Sequence, residues 1–376
     1  MRIGIDVRPL SRPKAGIFRC VSSLLQELQR IDKENSYFLY SDRDFDGIQE
    51  NSQWRKRVSA GFRLIPGSVW LQSEARKMAT EDGADVFWGT AHALPLLLPA
   101  GTRNILTVHD VAWATCPENM ALYNRCVHHL ISGRSIRKSD VVCVPSHSTR
   151  ESLQRLLGGV AKDIRVVYWG VEDCYFPHDR AVAARYIANK FSTSEDYVCT
   201  VGTIEPRKNL PRLIEAFDIL RVRYGLQAQL LIAGAHGWKT SLIHRQLVAS
   251  GLTEREVRFL GYVPEEDMPF LYSGASVFVL PSLYEGFGLP LIEAMACGAP
   301  IVASNTSSIP EVVGDAGVLA DPYKPEEVAE AIIRFRADPG LRAASVQSGL
   351  QRVKRFSWTR AAKEMLSIFC ERATRT

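Results

Sequence analysis

Short apolar runs alternating with amphipathic segments constrain this chain more than any other feature of its sequence. In the first half the runs are Ile3-Gly4-Ile5-Asp6-Val7, Tyr37-Phe38-Leu39-Tyr40, Val86-Phe87-Trp88, Asn104-Ile105-Leu106-Thr107-Val108, Val141-Val142-Cys143-Val144 and Arg165-Val166-Val167-Tyr168. Runs this continuous suit a parallel sheet covered on both faces by helices. The segment after the first run carries Val21, Leu24, Leu25 and Leu28 at helical spacing. The rhythm breaks in the polar stretch Glu172-Asp173-Cys174-Tyr175-Phe176-Pro177-His178-Asp179. It restarts with Tyr197-Val198-Cys199-Thr200-Val201-Gly202, Gln229-Leu230-Leu231-Ile232-Ala233-Gly234, Val277-Phe278-Val279-Leu280 and Pro300-Ile301-Val302-Ala303. At 376 residues the chain exceeds one ordinary core. The expectation is two doubly wound α/β domains in tandem, residues 1–175 and 176–355, with a ligand in the cleft between them.

Composition excludes several classes. With 46% hydrophobic and 23% charged residues the bulk of the chain is neither disordered nor coiled coil. The most apolar run, around Leu94-Pro95-Leu96-Leu97-Leu98-Pro99, is broken by prolines and too short to span a membrane. The start lacks the pattern of a signal peptide. Eight scattered cysteines without metal-ligand spacing read as free thiols in a reducing cytoplasm. Net charge is +5, of which residues 1–175 carry +4. That is too mild for a nucleic-acid partner, but it makes the first domain a candidate for contact with an anionic membrane surface.

The sharpest chemical signal is Tyr284-Glu285-Gly286-Phe287-Gly288-Leu289-Pro290-Leu291-Ile292-Glu293, directly after an apolar strand. Pro290 fits the first turn of a helix, where its missing N–H costs nothing. Gly286 and Gly288 let the backbone turn tightly against a ligand. The N–H groups of such a helix start suit an anion, usually phosphate. The plain alternative is two solvated glutamates around a glycine turn. A second signal is the cationic pair Arg207-Lys208, in Gly202-Thr203-Ile204-Glu205-Pro206-Arg207-Lys208-Asn209, between a strand and a helix.

Together these segments resemble the retaining GT-B glycosyltransferases of family 4. Two glutamates with seven residues between them, Glu285 and Glu293, look like that family's signature. The likeness continues through Gly298-Ala299-Pro300-Ile301-Val302-Ala303-Ser304 and Ser308-Ile309-Pro310-Glu311-Val312-Val313-Gly314. Phe356-Ser357-Trp358 resembles the start of the family's last helix, so residues 356–376 are expected to return to the first domain. The loop Lys14-Ala15-Gly16-Ile17-Phe18-Arg19 resembles the family's first-domain glycine loop, with Phe18 where a second small residue is common.

The resemblance implies transfer of a hexose from a nucleoside diphosphate sugar with retained configuration, and no metal or other cofactor. It places Lys208 and Arg207 on the diphosphate, the backbone of Gly286, Phe287, Gly288 and Leu289 on phosphate and sugar, and Glu293 on the ribose. Glu285 is implied at the sugar hydroxyls, His109 of the pair His109-Asp110 at the sugar's 6-hydroxyl, and Gly16 at the diphosphate. The family usually has an arginine at the position of Thr203; Arg207 is the candidate to replace it. Buried structural histidine and a capping role for Asp110 are the alternatives in the first domain.

The combination is similar to bacterial mannosyltransferases of surface polysaccharide synthesis, which makes GDP-mannose the first choice of donor and a glycan or polyprenyl-diphosphate-linked acceptor its partner. A UDP-sugar donor, a non-catalytic nucleotide-sugar-binding protein, and a phosphorylase or epimerase of the same fold are the rivals. Two further patterns carry less. Asp42-Arg43-Asp44 and Asp44-Phe45-Asp46 spell a metal-binding triplet but read as a solvated loop. Trp54-Arg55-Lys56-Arg57, with Phe62-Arg63 beyond, reads either as a lipid-facing patch or as a solvated surface segment.

Overall fold

The computed structural model describes residues 1–12, 16–59, 66–116, 131–158, 160 and 162–371. The chain divides into two compact units, Met1–Gly170 with Ser357–Thr376, and Val171–Phe356.

Unit 1 is built on seven parallel strands: β1 (Arg2–Asp6), β2 (Ser36–Ser41), β3 (Trp54–Val58), β4 (Val86–Gly89), β5 (Arg103–Thr107), β6 (Val141–Val144) and β7 (Asp163–Val166). Their order is β3-β2-β1-β4-β5-β6-β7. Ile3 and Ile5 are fully buried, with Ile3 in register with Tyr37 on one side and Val86 on the other. The helix Gly16–Ile31 turns Cys20, Val21, Leu24, Leu25 and Leu28 inward. The helix Trp358–Cys370 belongs to this unit. It is capped by Ser357 and buries Ala361, Ala362, Met365 and Phe369. The Thr359 hydroxyl donates to Glu27 Oε2 at 2.7 Å on the first helix, and Phe369 meets Trp88 at 5.5 Å between rings. A side chain at Gly170 would collide with the Trp358 backbone, its Cβ 2.1 Å from the nitrogen.

Unit 2 holds six parallel strands: β8 (Tyr197–Val201), β9 (Gln229–Ala233), β10 (Val257–Gly261), β11 (Val277–Leu280), β12 (Ile301–Ser304) and β13 (Gly317–Ala320), in the order β10-β9-β8-β11-β12-β13. Its core joins Leu213, Phe217 and Leu220 of the helix Leu210–Tyr224 to Val198, Leu230, Val277 and Val302 of the sheet.

Three expectations need correcting. The basic segment Trp54-Arg55-Lys56-Arg57 is not a loose surface patch but edge strand β3. Trp54 is buried, stacked on Tyr37 at 4.0 Å, and Arg57 pairs with Glu81 and Asp82; Phe62 and Arg63 lie outside the described residues. The sixth apolar run of the first half forms its strand two residues earlier, at Asp163–Val166. The unit boundary falls after Gly170, because Tyr175 packs against Tyr272 of unit 2, 6.1 Å between ring centres.

Candidate active site

In each unit the chain winds outward in both directions from two central strands. In unit 2 the connections run β8 to β9 to β10 on one side and β11 to β12 to β13 on the other. The loops after β8 and β11 therefore diverge, and the crevice they leave at the strands' carboxyl ends is where open α/β sheets bind ligands. The expected residues Arg207, Lys208 and Glu285 all come from these two loops.

The β8 loop starts at Gly202, whose φ of 151° is glycine territory. A Cβ there would lie 2.9 Å from Lys208 Cε, so the missing side chain is what lets the lysine fold back over the strand end. A short turn, Pro206–Lys208, then leads into Asn209 in the left-handed region at φ 58°. Asn209 donates to the carbonyls of Pro281 (3.1 Å) and Pro322 (2.7 Å), and the Leu283 N–H donates to the Arg207 carbonyl at 2.9 Å. These bonds lock the two loops together. On the β11 side, the Glu285 N–H donates to Ser307 Oγ at 2.9 Å, and the Ser308 hydroxyl lies 3.0 Å from the carbonyls of both Glu285 and Phe287.

A four-membered ion network results. Lys208 Nζ donates to Glu285 Oε1 at 2.7 Å, and Arg207 Nη1 donates to Glu285 Oε2 at 2.6 Å. Arg207 also donates from Nη1 to the Tyr284 carbonyl at 2.7 Å, and from Nε and Nη2 to Glu205 Oε1 at 3.0 and 2.6 Å. Glu285 is 6% exposed, and that burial opposes its charge. The two adjacent cations more than offset it and hold the carboxyl down to about 2. It is ionised throughout the physiological range.

The other expected residues of unit 2 surround this network. Gly288 caps the helix Leu289–Ala296 with φ 99°, and Pro290 sits in its first turn. Glu293, 1% exposed, accepts from the Tyr272 hydroxyl at 2.8 Å. Gly286 and Leu289 are buried, and Thr203 is exposed. Phe287 turns its ring into the core against Phe356, edge to face at 5.6 Å, so only its backbone remains for a ligand.

Unit 1 repeats the logic. Its order diverges between β1 and β4, and the ends of β1, β4 and β5 are tied by one chain of bonds. The Thr90 hydroxyl donates to the Asp6 carbonyl at 2.6 Å, and His109 Nε2 donates to the Thr90 carbonyl at 2.7 Å. That bond fixes the tautomer, leaving Nδ1 as the acceptor. The ring lies between His92 (5.3 Å) and Trp169 (5.0 Å). Burial presses its pKa down to about 4 against the opposing pull of the Thr90 carbonyl and Asp110, so the imidazole is neutral at pH 7. Asp110 takes the capping alternative, accepting from the Ala112 N–H at 3.0 Å. Gly16 opens its helix in the open: no heavy atom lies within 4 Å of a Cβ built there, and nothing described demands glycine. Lys14, Ala15, His128 and His129 lie outside the described residues.

The acidic triplet is corrected at Asp42. It is not solvated but 5% exposed and paired with Arg12 at 2.5 Å. Among the described residues no group of three or more His, Cys, Asp or Glu could hold a metal ion. Of the cysteines, Cys20, Cys143, Cys199 and Cys297 are buried thiols. No described helix is long and apolar enough to cross a membrane. Sequence reasoning missed Glu205, although it lies inside the quoted motif, and also Tyr272 and Thr90, which carry no local signal.

Two doubly wound parallel units, with the charged loops of unit 2 at its switch point, define a GT-B fold of the nucleotide-sugar-handling kind. Residues 15–173 match the family described as Glycosyltransferase Family 4, and residues 186–352 the family described as Glycosyl transferases group 1. O-antigen chain mannosyltransferase B of Escherichia coli is 31% identical over 387 residues, covering 98% of this chain and 99% of that protein. Among solved structures, sucrose-phosphate synthase from Thermosynechococcus elongatus superposes with a TM-score of 0.79 at 21% identity, covering 98% of both chains. Anabaena Alr3699/HepE in complex with UDP and glucose superposes with a TM-score of 0.76 at 18% identity, covering 99% of this chain and 100% of that one. The chain belongs to glycosyltransferase family 4 and is a glycosyltransferase.

Proposed function

We propose that this enzyme transfers mannose from GDP-mannose, with retention and without a metal ion, to a glycan or polyprenyl-diphosphate-linked acceptor of surface polysaccharide synthesis at the cytoplasmic face of a membrane. The observation that carries the reaction type is the ion pair of half-buried Lys208 with buried Glu285 at the β8/β11 switch point. The mannosyl donor is supported by the end-to-end likeness to a mannosyltransferase of O-antigen chains.

In this reading Lys208 and the N–H groups of residues 286–289 receive the diphosphate and stabilise the charge that grows on its oxygen as the bond to the sugar breaks. Glu285, ionised, accepts hydrogen bonds from the sugar hydroxyls, and Glu293 accepts from the ribose pair. In unit 1 the neutral His109 serves the sugar's 6-hydroxyl, and the Gly16 loop serves the diphosphate. The acceptor oxygen bonds to the anomeric carbon on the face the diphosphate leaves, and the departing phosphate oxygen takes the acceptor's proton. No protein nucleophile takes part.

The test has two arms. Calorimetric titration with GDP and with UDP reads the base, GDP binding more tightly if the donor is GDP-mannose; a UDP preference would replace the mannosyl donor with a UDP-sugar. Proton NMR of the product from GDP-mannose, with chelator present, reads stereochemistry and metal dependence. Lys208→Ala is expected to lower kcat by about 100- to 1000-fold, the loss of one charge-stabilising donor. Wild-type turnover in that variant removes Lys208 from the mechanism.

A further inference from the structure

Arg207 and Lys208 are neighbours in sequence, yet their hydrogen bonding sets them apart. A guanidinium has five N–H groups in a rigid fork, and an ammonium has three on a flexible stem. Arg207 commits at least four of its five: two to Glu205, one to Glu285 and one to the Tyr284 carbonyl. Its acceptors come from both loops of the switch point, so the fork clips the β8 loop to the β11 loop at the residue that carries the carboxylate. Glu205 is itself 8% exposed and takes two N–H groups on one edge of that fork through a single oxygen. The Lys208 side chain has one hydrogen bond among the described residues, to Glu285 at 2.7 Å, and its ammonium can turn toward an anion without undoing the frame.

From this division of labour we infer that Arg207 is a positioning residue, braced by Glu205, that fixes the Glu285 carboxylate in place, while Lys208 alone of the pair meets the diphosphate. The inference rests on the glycosyl-transfer reading above and assigns Glu205 a part in it. The brace has geometric consequences. Arg207 Nη1 holds one oxygen of the Glu285 carboxylate, Oε2, at 2.6 Å, and the bonds to Glu205 and the Tyr284 carbonyl fix the direction from which it does so. A lysine at 207 keeps the positive charge but cannot reach Glu205, Tyr284 and Glu285 together. A glutamine at 205 keeps an acceptor oxygen but removes the countercharge that turns the fork.

The experiment compares Glu205→Gln, Arg207→Lys and Lys208→Met with the unaltered full-length chain. Calorimetry gives the Kd for GDP and for UDP, and nucleotide release from GDP-mannose, or from UDP-glucose if UDP binds more tightly, gives kcat. Melting curves identify any variant that does not fold; Glu205→Gln, nearly isosteric, keeps the test open if Arg207→Lys is lost. Glu205→Gln and Arg207→Lys are expected to lower kcat by about 10- to 100-fold, the cost of a carboxylate displaced by a fraction of an ångström to 1 Å. They should leave the nucleotide Kd within about threefold, whereas Lys208→Met should weaken it by more than about tenfold through loss of a charged contact to phosphate. A Kd in Arg207→Lys weakened as far as in Lys208→Met makes Arg207 an anion ligand and overturns the assignment. So does unchanged kcat in Glu205→Gln. Failure of the unaltered chain to bind either nucleotide overturns the glycosyl-transfer reading itself, and this assignment with it, and is recognised before any variant is measured.

Discussion

Replacing Glu285 by glutamine should make the stability of unit 2 less sensitive to acid, by an amount the structure sets. The carboxyl titrates ordinarily at 4.5 and in the folded protein at about 2, burial opposing its charge and Arg207 and Lys208 prevailing. At about 1.4 kcal/mol per pH unit of displacement, the ionised side chain contributes about 3 kcal/mol at neutral pH. A folded value below the unfolded one means that this contribution is complete above about pH 4.5 and is lost as the pH falls through about 2. By pH 3 about 2 kcal/mol of it is gone. Glu285→Gln, which also leaves two half-buried cations facing a neutral acceptor, should therefore be about 3 kcal/mol less stable than the parent at pH 7 and only about 1 kcal/mol less at pH 3. Hydrogen exchange of peptides from β8 and β11, corrected for the intrinsic rate at each pH, reads this gap within unit 2. Tryptophan fluorescence gives the control, since six of the seven tryptophans lie in unit 1 and only Trp238 in unit 2. A gap that stays constant or widens toward pH 3 would refute the reasoning, because it would mean that the ion pairs do not hold the carboxyl down.

Two further outcomes are expected. His109, held neutral by burial with its pKa at about 4 against an ordinary 6.5, gives the opposite kind of group but the same sign. The unfolded chain binds the proton first, so unit 1 loses up to about 3 kcal/mol as the pH falls from 6.5 to 4, and His109→Gln should remove that slope from tryptophan-detected urea unfolding. A slope that survives the substitution assigns it to other groups. Gly288→Ala forces a side chain into φ 99° and to 3.0 Å from Leu291 Cδ1, which should cost about 1–2 kcal/mol and raise the donor KM; a melting temperature equal to the parent's refutes the strain.

The fold was legible because a parallel sheet writes itself as apolar runs. Strands buried on both faces, such as Val141–Val144 and Val277–Leu280, have no polar side to confuse the pattern. The strands that escaped notice lie toward the edges of their sheets, where one side meets water. Trp54–Val58 reads Trp-Arg-Lys-Arg-Val, with only its first residue buried. Val257–Gly261 and Gly317–Ala320 are likewise half-exposed. Charged residues are how edge strands discourage further pairing, and in Trp54–Val58 and, through Arg258, in Val257–Gly261 that chemistry also hides the edge from a search for apolar runs. Gly317–Ala320 carries no charge and is not hidden in this way.

The site was legible where function demands a particular backbone. Gly288 at φ 99° and Pro290 in the first helical turn leave a mark in sequence because few other residues can take their places. Side chains that act through others leave no such mark. Arg207 was legible as a cation, but its partners Glu205 and Glu285 lie two and 78 residues away, and nothing in their spacing says which acceptor the fork will take. The departure at Thr203, where the resembling enzymes carry arginine, suggested that Arg207 had changed places with it. In the fold the two positions are not equivalent. Thr203 is exposed on the strand-end loop, whereas Arg207 is clamped between two nearly buried carboxylates. A cation paired with two carboxylates is a poor electrostatic substitute for an exposed one, which is why the proposed anion contact is given to Lys208, paired among the described residues with one carboxylate only.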